Sequence, residues 1–379
     1  MKRGWDILCS VVDNFGDAGV CWRLARQLCS ELDQSVRFWV DNLDTLHRLN
    51  RDVNPVLVAQ CIDGVEVRCW RDLAQAEPAE IVVEGFGVRP PPEYVDAMVR
   101  RKTPPVWINL EYLSAEKWVE GCHVLPSPQP ANPLVKYFFF PGFTPATGGL
   151  LMERGLCGAR DAFQRDTTAI AGFLQSLQVT MVDADAVLIS LFCYDNAALS
   201  TLVHAWAGGA APVVCIAPEG NVLTQLSQVA GRRIVAGSRV VMGKLAIHAV
   251  PFLELDQYDR LLWACDVNFV RGEDSFVRAQ LAARPLVWQA YPQSDGAHMS
   301  KVDAFLDRYC AAAEPEVGRR VGTVFNSWNR QSTDMGRDWC ALMERRADLD
   351  THASHWASHL CNGGNLAHRL AEFCEYRLK

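Results

Sequence analysis

WDILCSVVDNFGDAGVCWRL, residues 5–24, joins a short apolar run to a segment with helical periodicity. This pattern predicts a buried β-strand that ends near Val12, a turn at residues 14–16 and a helix from about Asp17. Asp13 and Asp17 then fall at the carboxyl end of a parallel strand, where α/β folds bind ligands. On spacing alone, a helix cap with a first-turn acid explains the pair at least as well as a catalytic role does.

The rest of the chain repeats this alternation of apolar runs and helical segments, which indicates α/β structure with parallel, doubly wound sheets. The first series of runs is WDILCSVV, VRFWVD, EIVVEGF, PVWINL and HVLPSP, and the second is AVLISLF, APVVCIAP, RVVMGKLAIHAVPF, DVNFVRG and RPLVWQ. Because 379 residues exceed one ordinary core, we predict two α/β domains, 1–180 and 181–362. A C-terminal helix at about 363–379 is placed to pack back on the first domain.

The composition excludes several classes of protein. The chain is 49% hydrophobic and 21% charged, as folded globular proteins are, and its net charge of −7 disfavours a nucleic-acid partner. No apolar run approaches 18 residues and no signal-peptide cleavage site follows the N-terminus, so we expect neither a membrane partner nor secretion. The fourteen cysteines contain no CxxC pair, and we expect them to be reduced, mostly buried and cytoplasmic.

A second informative stretch is FVRGEDSFVRAQLA, residues 269–282, in which an apolar strand ends at Arg271 and a helix opens at about Ser275. We expect Asp274 or Ser275 to cap this helix, whose free N–H groups suit a pyrophosphate. Glu273 repels a phosphate unless it binds a sugar hydroxyl or holds Arg271 in place. A capping and salt-bridge cluster without a ligand explains the stretch equally well.

Several aromatic and acidic residues are candidates for substrate contacts. Phe252, Tyr258 and Tyr291 flank the second stretch and suit nucleobase stacking, although core packing is the commoner role of such rings. Glu111 and Tyr112 follow a predicted strand of the first domain on the same side as Asp13, where they are possible acceptor contacts.

Three histidines, His352, His355 and His359, have a spacing that aligns them on one helix. No acidic or cysteine ligand is interleaved with them, so a solvated helix face is favoured over a metal site. We therefore predict no metal.

The chain closely resembles the EarP family of bacterial protein-arginine rhamnosyltransferases, which act on translation elongation factor P. The resemblance runs from about residue 5 to 375, and its motifs are DNFGDAGVCWRLARQL, INLEYLSAE, FFFPGFTPATGGLL, LISLFCYDN, PFLELDQYDRLLWACDVNFVRGEDSFVRAQ and WQAYPQ. It implies a GT-B glycosyltransferase, with two Rossmann-like domains whose parallel sheets face each other across a cleft. It also implies inverting transfer of L-rhamnose from dTDP-β-L-rhamnose to an arginine guanidinium of elongation factor P, with no cofactor or metal.

The resemblance also implies roles for individual residues, with Asp17 the general base. The predicted catalytic residues are Asp13, Asp17 and Glu273, and the predicted donor-binding residues are Gly16, Phe252, Tyr258, Arg271, Asp274, Ser275 and Tyr291. In the segment PFLELDQ, the family pattern predicts a glutamine shortly after the phenylalanine, whereas in this chain Leu255 precedes Gln257. A sugar-nucleotide epimerase and a non-catalytic nucleotide- or protein-binding module are the alternative functions.

Overall fold

The computed structural model describes residues 2–11, 15–180, 185–293 and 296–379. Two compact units divide the chain: Met1–Arg154 with Asn362–Lys379, and Gly155–Cys361. The division falls at Arg154 rather than near residue 180, because two helices before residue 180 pack on the second unit through Phe163 and Phe173. The C-terminal helix belongs to the first unit.

The first unit is an α/β unit. Its strands are β1 (Gly4–Cys9), β2 (Ser35–Val40), β3 (Ala59–Ile62), β4 (Val65–Cys69), β5 (Ile81–Gly85), β6 (Val106–Leu110), β7 (Pro126–Pro128) and β8 (Val135–Phe139). Its helices are α1 (Gly16–Leu32), α2 (Leu43–Leu49), α3 (Pro92–Arg100), α4 (Trp118–Cys122) and α15 (Leu366–Arg377), together with a 3₁₀ turn at Trp70–Gln75.

The strands of this unit form one sheet in the order β3-β4-β2-β1-β5-β6-β8-β7. The six inner strands are parallel, whereas β3 and β7 at the edges are antiparallel. No apolar run predicted β3, and the run HVLPSP covers β7 but did not predict its antiparallel direction. In the register, Leu8 lies opposite both Trp39 and Glu84, and helices cover the sheet so that β1 is buried almost throughout. The carboxyl ends of β1, β5 and β6 therefore lie along one edge of the sheet.

The second unit is also α/β. Its strands are β9 (Val187–Leu191), β10 (Val213–Pro218), β11 (Arg239–Met242), β12 (Leu245–Val250), β13 (Val267–Arg271) and β14 (Leu286–Gln289). Its helices are α5 (Leu156–Arg165), α6 (Thr167–Ser176), α7 (Leu199–Gly208), α8 (Asn221–Ala230), α9 (Leu255–Ala264), α10 (Asp274–Leu281), α11 (His298–Tyr309), α12 (Pro315–Asn329), α13 (Met335–Met343) and α14 (Arg346–Cys361), with a 3₁₀ turn at Cys310–Ala312.

The second sheet has the order β11-β12-β10-β9-β13-β14, and only its edge strand β11 is antiparallel. The run at residues 239–252 is thus a hairpin of two strands rather than one. Residues after β9, β12, β13 and β14 share the carboxyl edge of this sheet, which is where the second informative stretch begins. Among the described residues, no helix is both long and apolar enough to cross a lipid bilayer.

The expectation of reduced, mostly buried cysteines is wrong in two respects, because two cysteines form a disulfide and only six of the fourteen are buried. Cys157, at the start of α5, forms a disulfide with Cys361, the last residue of α14. The second unit begins just before Cys157 and ends at Cys361. The disulfide therefore links the two ends of this unit. Six of the remaining cysteines are buried, namely Cys9, Cys21, Cys193, Cys215, Cys265 and Cys374.

Candidate active site

Asp17 lies in the first turn of α1 and is almost wholly buried, with 2% of its surface exposed. The helix begins at Gly16, and the cap position is Phe15, which makes no side-chain cap bond. Asp13, the cap in the structural interpretation of the pair, and the turn residue Asn14 lie outside the described residues. A buried carboxylate is costly unless it is hydrogen-bonded, and a phenol meets that need here.

Tyr112, just beyond β6, donates its hydroxyl to Oδ1 of Asp17 at 3.2 Å. The ring of Tyr112 stacks on Phe86, with centroids 4.3 Å apart and ring planes at 16°. These two contacts join the first turn of α1 to residues that follow β5 and β6. The structure thus brings together two predicted site residues, Asp17 and Tyr112, that are far apart in the sequence.

Glu111 lies beside Tyr112 and accepts a hydrogen bond from Nδ2 of Asn109 at 2.5 Å. The same amide group of Asn109 uses its oxygen to accept the N–H of Gly87 at 2.9 Å. Glu111 is therefore oriented by the end of β6. We call Asp17, Phe86, Glu111 and Tyr112 the Asp17 cluster.

The segment after β1 is anchored on the neighbouring strand. Asp41, which follows β2, accepts the N–H of Val11 at 3.0 Å and the hydroxyl of Ser10 at 2.5 Å. The free thiols of Cys9 and Cys21 are hydrogen-bonded to each other, and this hydrogen bond, burial and the charges of Asp17 and Asp41 all raise the pKa of the Cys9 thiol. Cys9 is thus a neutral thiol at the foot of the cluster, not a nucleophile.

Arg271, the last residue of β13, lies over two aromatic rings of the second unit. Its guanidinium carbon is 4.5 Å from the ring centroid of Phe192 and 4.4 Å from that of Tyr194. Both rings follow β9, the neighbouring strand in the sheet. Stacking on aromatic faces holds a guanidinium in place, and the planar N–H donors of a guanidinium match the geometry of a phosphate.

Two predicted donor residues extend this aromatic group. Tyr258 packs edge-on against Phe192 at 5.8 Å, and Tyr291, which is 60% exposed, packs edge-on against Tyr194 at 5.3 Å. Burial raises the pKa of the Tyr258 hydroxyl, an effect that Arg271 opposes. We call Phe192, Tyr194, Tyr258, Arg271 and Tyr291 the Arg271 cluster.

Helix α10 begins at Asp274, with Glu273 in the cap position and no side-chain cap bond. The prediction that Asp274 or Ser275 caps the helix is wrong, because the Ser275 hydroxyl donates to the carbonyl oxygen of Arg271 instead. Gly272 has a φ of +67°, which turns the chain sharply between strand and helix. The turn places the helix N-terminus directly beyond Arg271, as an anion site requires.

Phe252 lies farther along the same edge, after β12, which β10 separates from β9. It lines a cavity of about 400 Å³ whose wall also includes Gln178 and Gln257. Leu255 is buried as the first residue of α9 and does not line this cavity. Leu255 before Gln257 therefore stays a departure from the family pattern, and of these two residues Gln257 lines the cavity.

The prediction that the three histidines lie on one solvated helix face is wrong. His352 is buried, with its ring 4.6 Å from that of Tyr309, whereas His355 and His359 are exposed. Within the described part of the chain, no group of three histidine, cysteine or acidic side chains is placed to hold a metal ion.

A family model for the elongation factor P (EF-P) rhamnosyltransferase EarP matches residues 5–375. The chain belongs to the EarP family. The protein-arginine rhamnosyltransferase of Pseudomonas putida is 44% identical over 375 residues, which cover 98% of this chain and 99% of that relative. The enzyme of the same description from Shewanella oneidensis is 38% identical and covers 97% of each chain.

Solved structures agree with this membership. A structure that concerns EarP-mediated arginine glycosylation of translation elongation factor EF-P is 34% identical, with a TM-score of 0.72 and 99% of each chain covered. A glycosyltransferase from Rickettsia africae shares only the fold, at 10% identity and a TM-score of 0.56. The predicted α/β GT-B class with two Rossmann-like domains is confirmed, and so is the predicted enzyme class, protein-arginine rhamnosyltransferase.

For this member of the EarP family, the roles of individual site residues stay predictions. The structure adds residues that the sequence interpretation did not select, namely Phe86, Phe192 and Tyr194. Phe192 and Tyr194 directly follow the buried run VLISL, as ligand residues of α/β sheets often do. Phe86 had a weaker signal, the Gly-Phe-Gly sequence at residues 85–87, which indicates a sharp turn.

Proposed function

We propose that this EarP-family protein transfers L-rhamnose from dTDP-β-L-rhamnose to one guanidinium nitrogen of an arginine on elongation factor P, with inversion at the anomeric carbon. The observation that carries the proposal is the buried Asp17, held by Tyr112 at a strand end where α/β folds bind ligands. The family supplies the reaction class, and the Asp17 cluster supplies the chemistry that an arginine acceptor needs. Because a translation factor is the proposed acceptor, we place the reaction in the cytoplasm.

An arginine guanidinium is a poor nucleophile, since it is protonated with a pKa above about 12 and its nitrogen lone pairs are delocalised. A carboxylate corrects both deficiencies. It pairs with the cation, turns one nitrogen toward the sugar and accepts a proton when the growing C–N bond makes that nitrogen acidic. We assign this role to Asp17, assisted by Asp13.

The step balances as a single displacement. The guanidinium nitrogen forms a bond to C1 of rhamnose, and the C1–O bond to the dTDP diphosphate breaks from the opposite face. The nitrogen's proton passes to the carboxylate of Asp17, and the electron pair of the broken bond leaves on dTDP. The anomeric centre is inverted because only one displacement takes place.

Negative charge develops on the leaving diphosphate and needs positive partners. In this proposal Arg271 and the backbone N–H groups at the start of α10 supply them, so that neither a cofactor nor a metal is required. Glu273, at the cap of that helix, binds a sugar hydroxyl or holds Arg271. The cavity beside Phe252 and Gln257 takes the thymine base, since an aromatic ring and an amide suit stacking and hydrogen bonding to a nucleobase.

The decisive experiment follows the mass of elongation factor P incubated with dTDP-rhamnose and the protein, with EDTA present. We expect a mass increase of one deoxyhexose on an arginine with the wild-type protein and none with Asp17→Asn, which keeps the side-chain volume. Asp17→Asn should still bind dTDP in calorimetry. Asp44→Asn, which removes a first-turn carboxylate from α2 of the same unit, is the matched control and should retain full transfer.

Other outcomes separate the alternative functions. An epimerase would convert the nucleotide sugar without any protein acceptor, and a binding module would bind dTDP and release no product. Near wild-type transfer by Asp17→Asn would refute the role of the carboxylate as base. Loss of transfer in EDTA, restored by a divalent cation, would refute the metal-free mechanism.

A further inference from the structure

We propose that Phe86 is a positioning residue that holds the hydroxyl of Tyr112 on Asp17 during transfer. The inference rests on the proposed function, because it concerns the residue assigned there as the base. Phe86 touches Tyr112 and acts through it.

The backbone of Phe86 is in a conformation that bulky residues rarely adopt. Its φ of +59° lies in the left-handed region, and such residues persist where the surrounding structure determines them strongly. Here the N–H of Phe86 donates to the carbonyl oxygen of Leu110 at 2.7 Å, and the N–H of Gly87 donates to Asn109 at 2.9 Å. The turn after β5 is thereby fixed to the end of β6, two residues before Tyr112.

The side chain of Phe86 uses this placement to support the ring of Tyr112. The rings are nearly parallel, with centroids 4.3 Å apart, although Tyr112 remains 37% exposed. Because the Tyr112 ring is exposed to this extent, its orientation depends on the face that stacks on Phe86. The hydrogen bond to Asp17 is 3.2 Å long, which is longer than the usual O–H···O distance of up to about 3.0 Å, so a small rotation of the ring breaks it.

Gly85, the residue before Phe86, determines how closely the helix that carries Asp17 packs on β5. A Cβ atom on Gly85 would lie 2.5 Å from Sγ of Cys21, which is one helical turn after Asp17 on α1. Only glycine therefore lets α1 pack this closely on β5. Two consecutive residues at the end of β5 thus set both the depth of the helix that carries Asp17 and the ring that carries its hydrogen-bond donor.

The expected chemical consequence concerns the state of the carboxylate. A hydroxyl that donates to a carboxylate favours the ionised form, which is the form that accepts a proton from the guanidinium. Without the Phe86 ring, this donor is lost for much of the time. The base is then less often ionised at low pH and less often in the reactive orientation.

The test measures rhamnosyl transfer by Phe86→Leu, which keeps an apolar side chain but has no flat face. We expect kcat to fall about tenfold, which is about 1.4 kcal/mol of barrier, with the KM for dTDP-rhamnose unchanged. The acidic limb of the kcat profile should move to higher pH. Phe86→Tyr, which keeps the stacked ring, should recover most of the activity, and Asp63→Ala, another left-handed non-glycine position of this unit, should behave as wild type.

A double-mutant cycle with Tyr112→Phe distinguishes positioning from a general loss of structure. If Phe86 acts through the Tyr112 hydroxyl, the double variant should be no slower than Tyr112→Phe alone. Multiplicative losses in the cycle, an unshifted pH profile, or wild-type kcat in Phe86→Leu would overturn the inference. Phe86→Met replaces Phe86→Leu if the latter melts below the assay temperature.

These outcomes are separate from those that test the proposed function. If the wild-type protein transfers no rhamnose, or if Asp17→Asn transfers normally, the proposed function or the assignment of the base has failed. If Asp17→Asn is inactive and Phe86→Leu is as fast as the wild type, only the positioning role has failed.

Discussion

Arg271→Ala should weaken the binding of dTDP by roughly 100-fold. The guanidinium lies 4.5 Å from one aromatic centroid and 4.4 Å from another, which fixes its position before any ligand arrives. A charge-assisted hydrogen bond to a phosphate is worth about 1.5–3 kcal/mol, and the ordered placement of the cation adds about 1 kcal/mol. The total of about 3 kcal/mol corresponds to roughly two powers of ten in the dissociation constant.

The contribution of the rings can be separated from that of the charge. Arg271→Lys keeps a positive charge but has no planar group to stack, so we expect an intermediate loss of about fivefold in dTDP affinity. Tyr194→Leu removes one ring and leaves the arginine, and its loss should be similar to that of the lysine variant. These two results together would show that stacking holds the cation for the diphosphate.

Isothermal titration calorimetry with dTDP measures these affinities directly, and thermal melts verify that each variant is folded. Arg319→Ala is the matched control, because Arg319 is an exposed arginine of the same unit that pairs with Glu316 on α12, and dTDP binding should be unchanged. If Arg271→Ala binds dTDP within about twofold of the wild type, the diphosphate does not meet this residue. The anion site would then have to be sought elsewhere on the sheet edge.

Two further predictions concern stability. Cys361→Ser, which removes the disulfide to α5, should lower the melting temperature by about 5 °C or more, whereas Cys61→Ser, at an exposed free thiol, should not; equal melting temperatures would show that the bridge adds no stability. Burial, with repulsion from Arg369, lowers the pKa of His123 to about 4, so the stability from this neutral ring is complete above about pH 6.5 and is lost as the pH falls toward 4. Melts of His123→Gln between pH 7 and pH 4 should show a shallower decline than the wild type, and parallel curves would contradict the assignment.

The apolar runs predicted the central strands well because parallel strands that are buried on both faces read as continuous hydrophobic sequence. The run VLISL is an example, and it is β9 in the structure. The strand β8 escaped prediction because VKYFF contains Lys136. That lysine is paired with the buried Glu84 at 2.6 Å, a residue 52 positions earlier, and no local pattern reveals such a partner.

The helix starts show a different limit of local reasoning. Serine is a common helix-capping residue, but the hydroxyl of Ser275 donates to the carbonyl oxygen of the residue four positions earlier. A serine hydroxyl can donate to a carbonyl oxygen in the preceding turn instead of capping a helix, and the residue type alone does not reveal which bond forms. Phe86 is a similar case, because its left-handed backbone is stabilised by bonds to β6 that the sequence around it does not encode.

The distribution of charge between the two sheets follows from the proposed chemistry. The acceptor is a cation and needs carboxylates, which the Asp17 cluster provides on the first sheet. The leaving group is an anion and needs a cation and backbone N–H groups, which Arg271 and the start of α10 provide on the second. A carboxylate and a guanidinium of one sheet can also pair with each other, as Asp6 and Arg37 do in the first unit, where two hydrogen bonds of 2.7 Å join them. The proposed mechanism instead assigns the base to the first unit and the cation that meets the leaving group to the second, so each sheet carries the charge opposite to that of its own substrate.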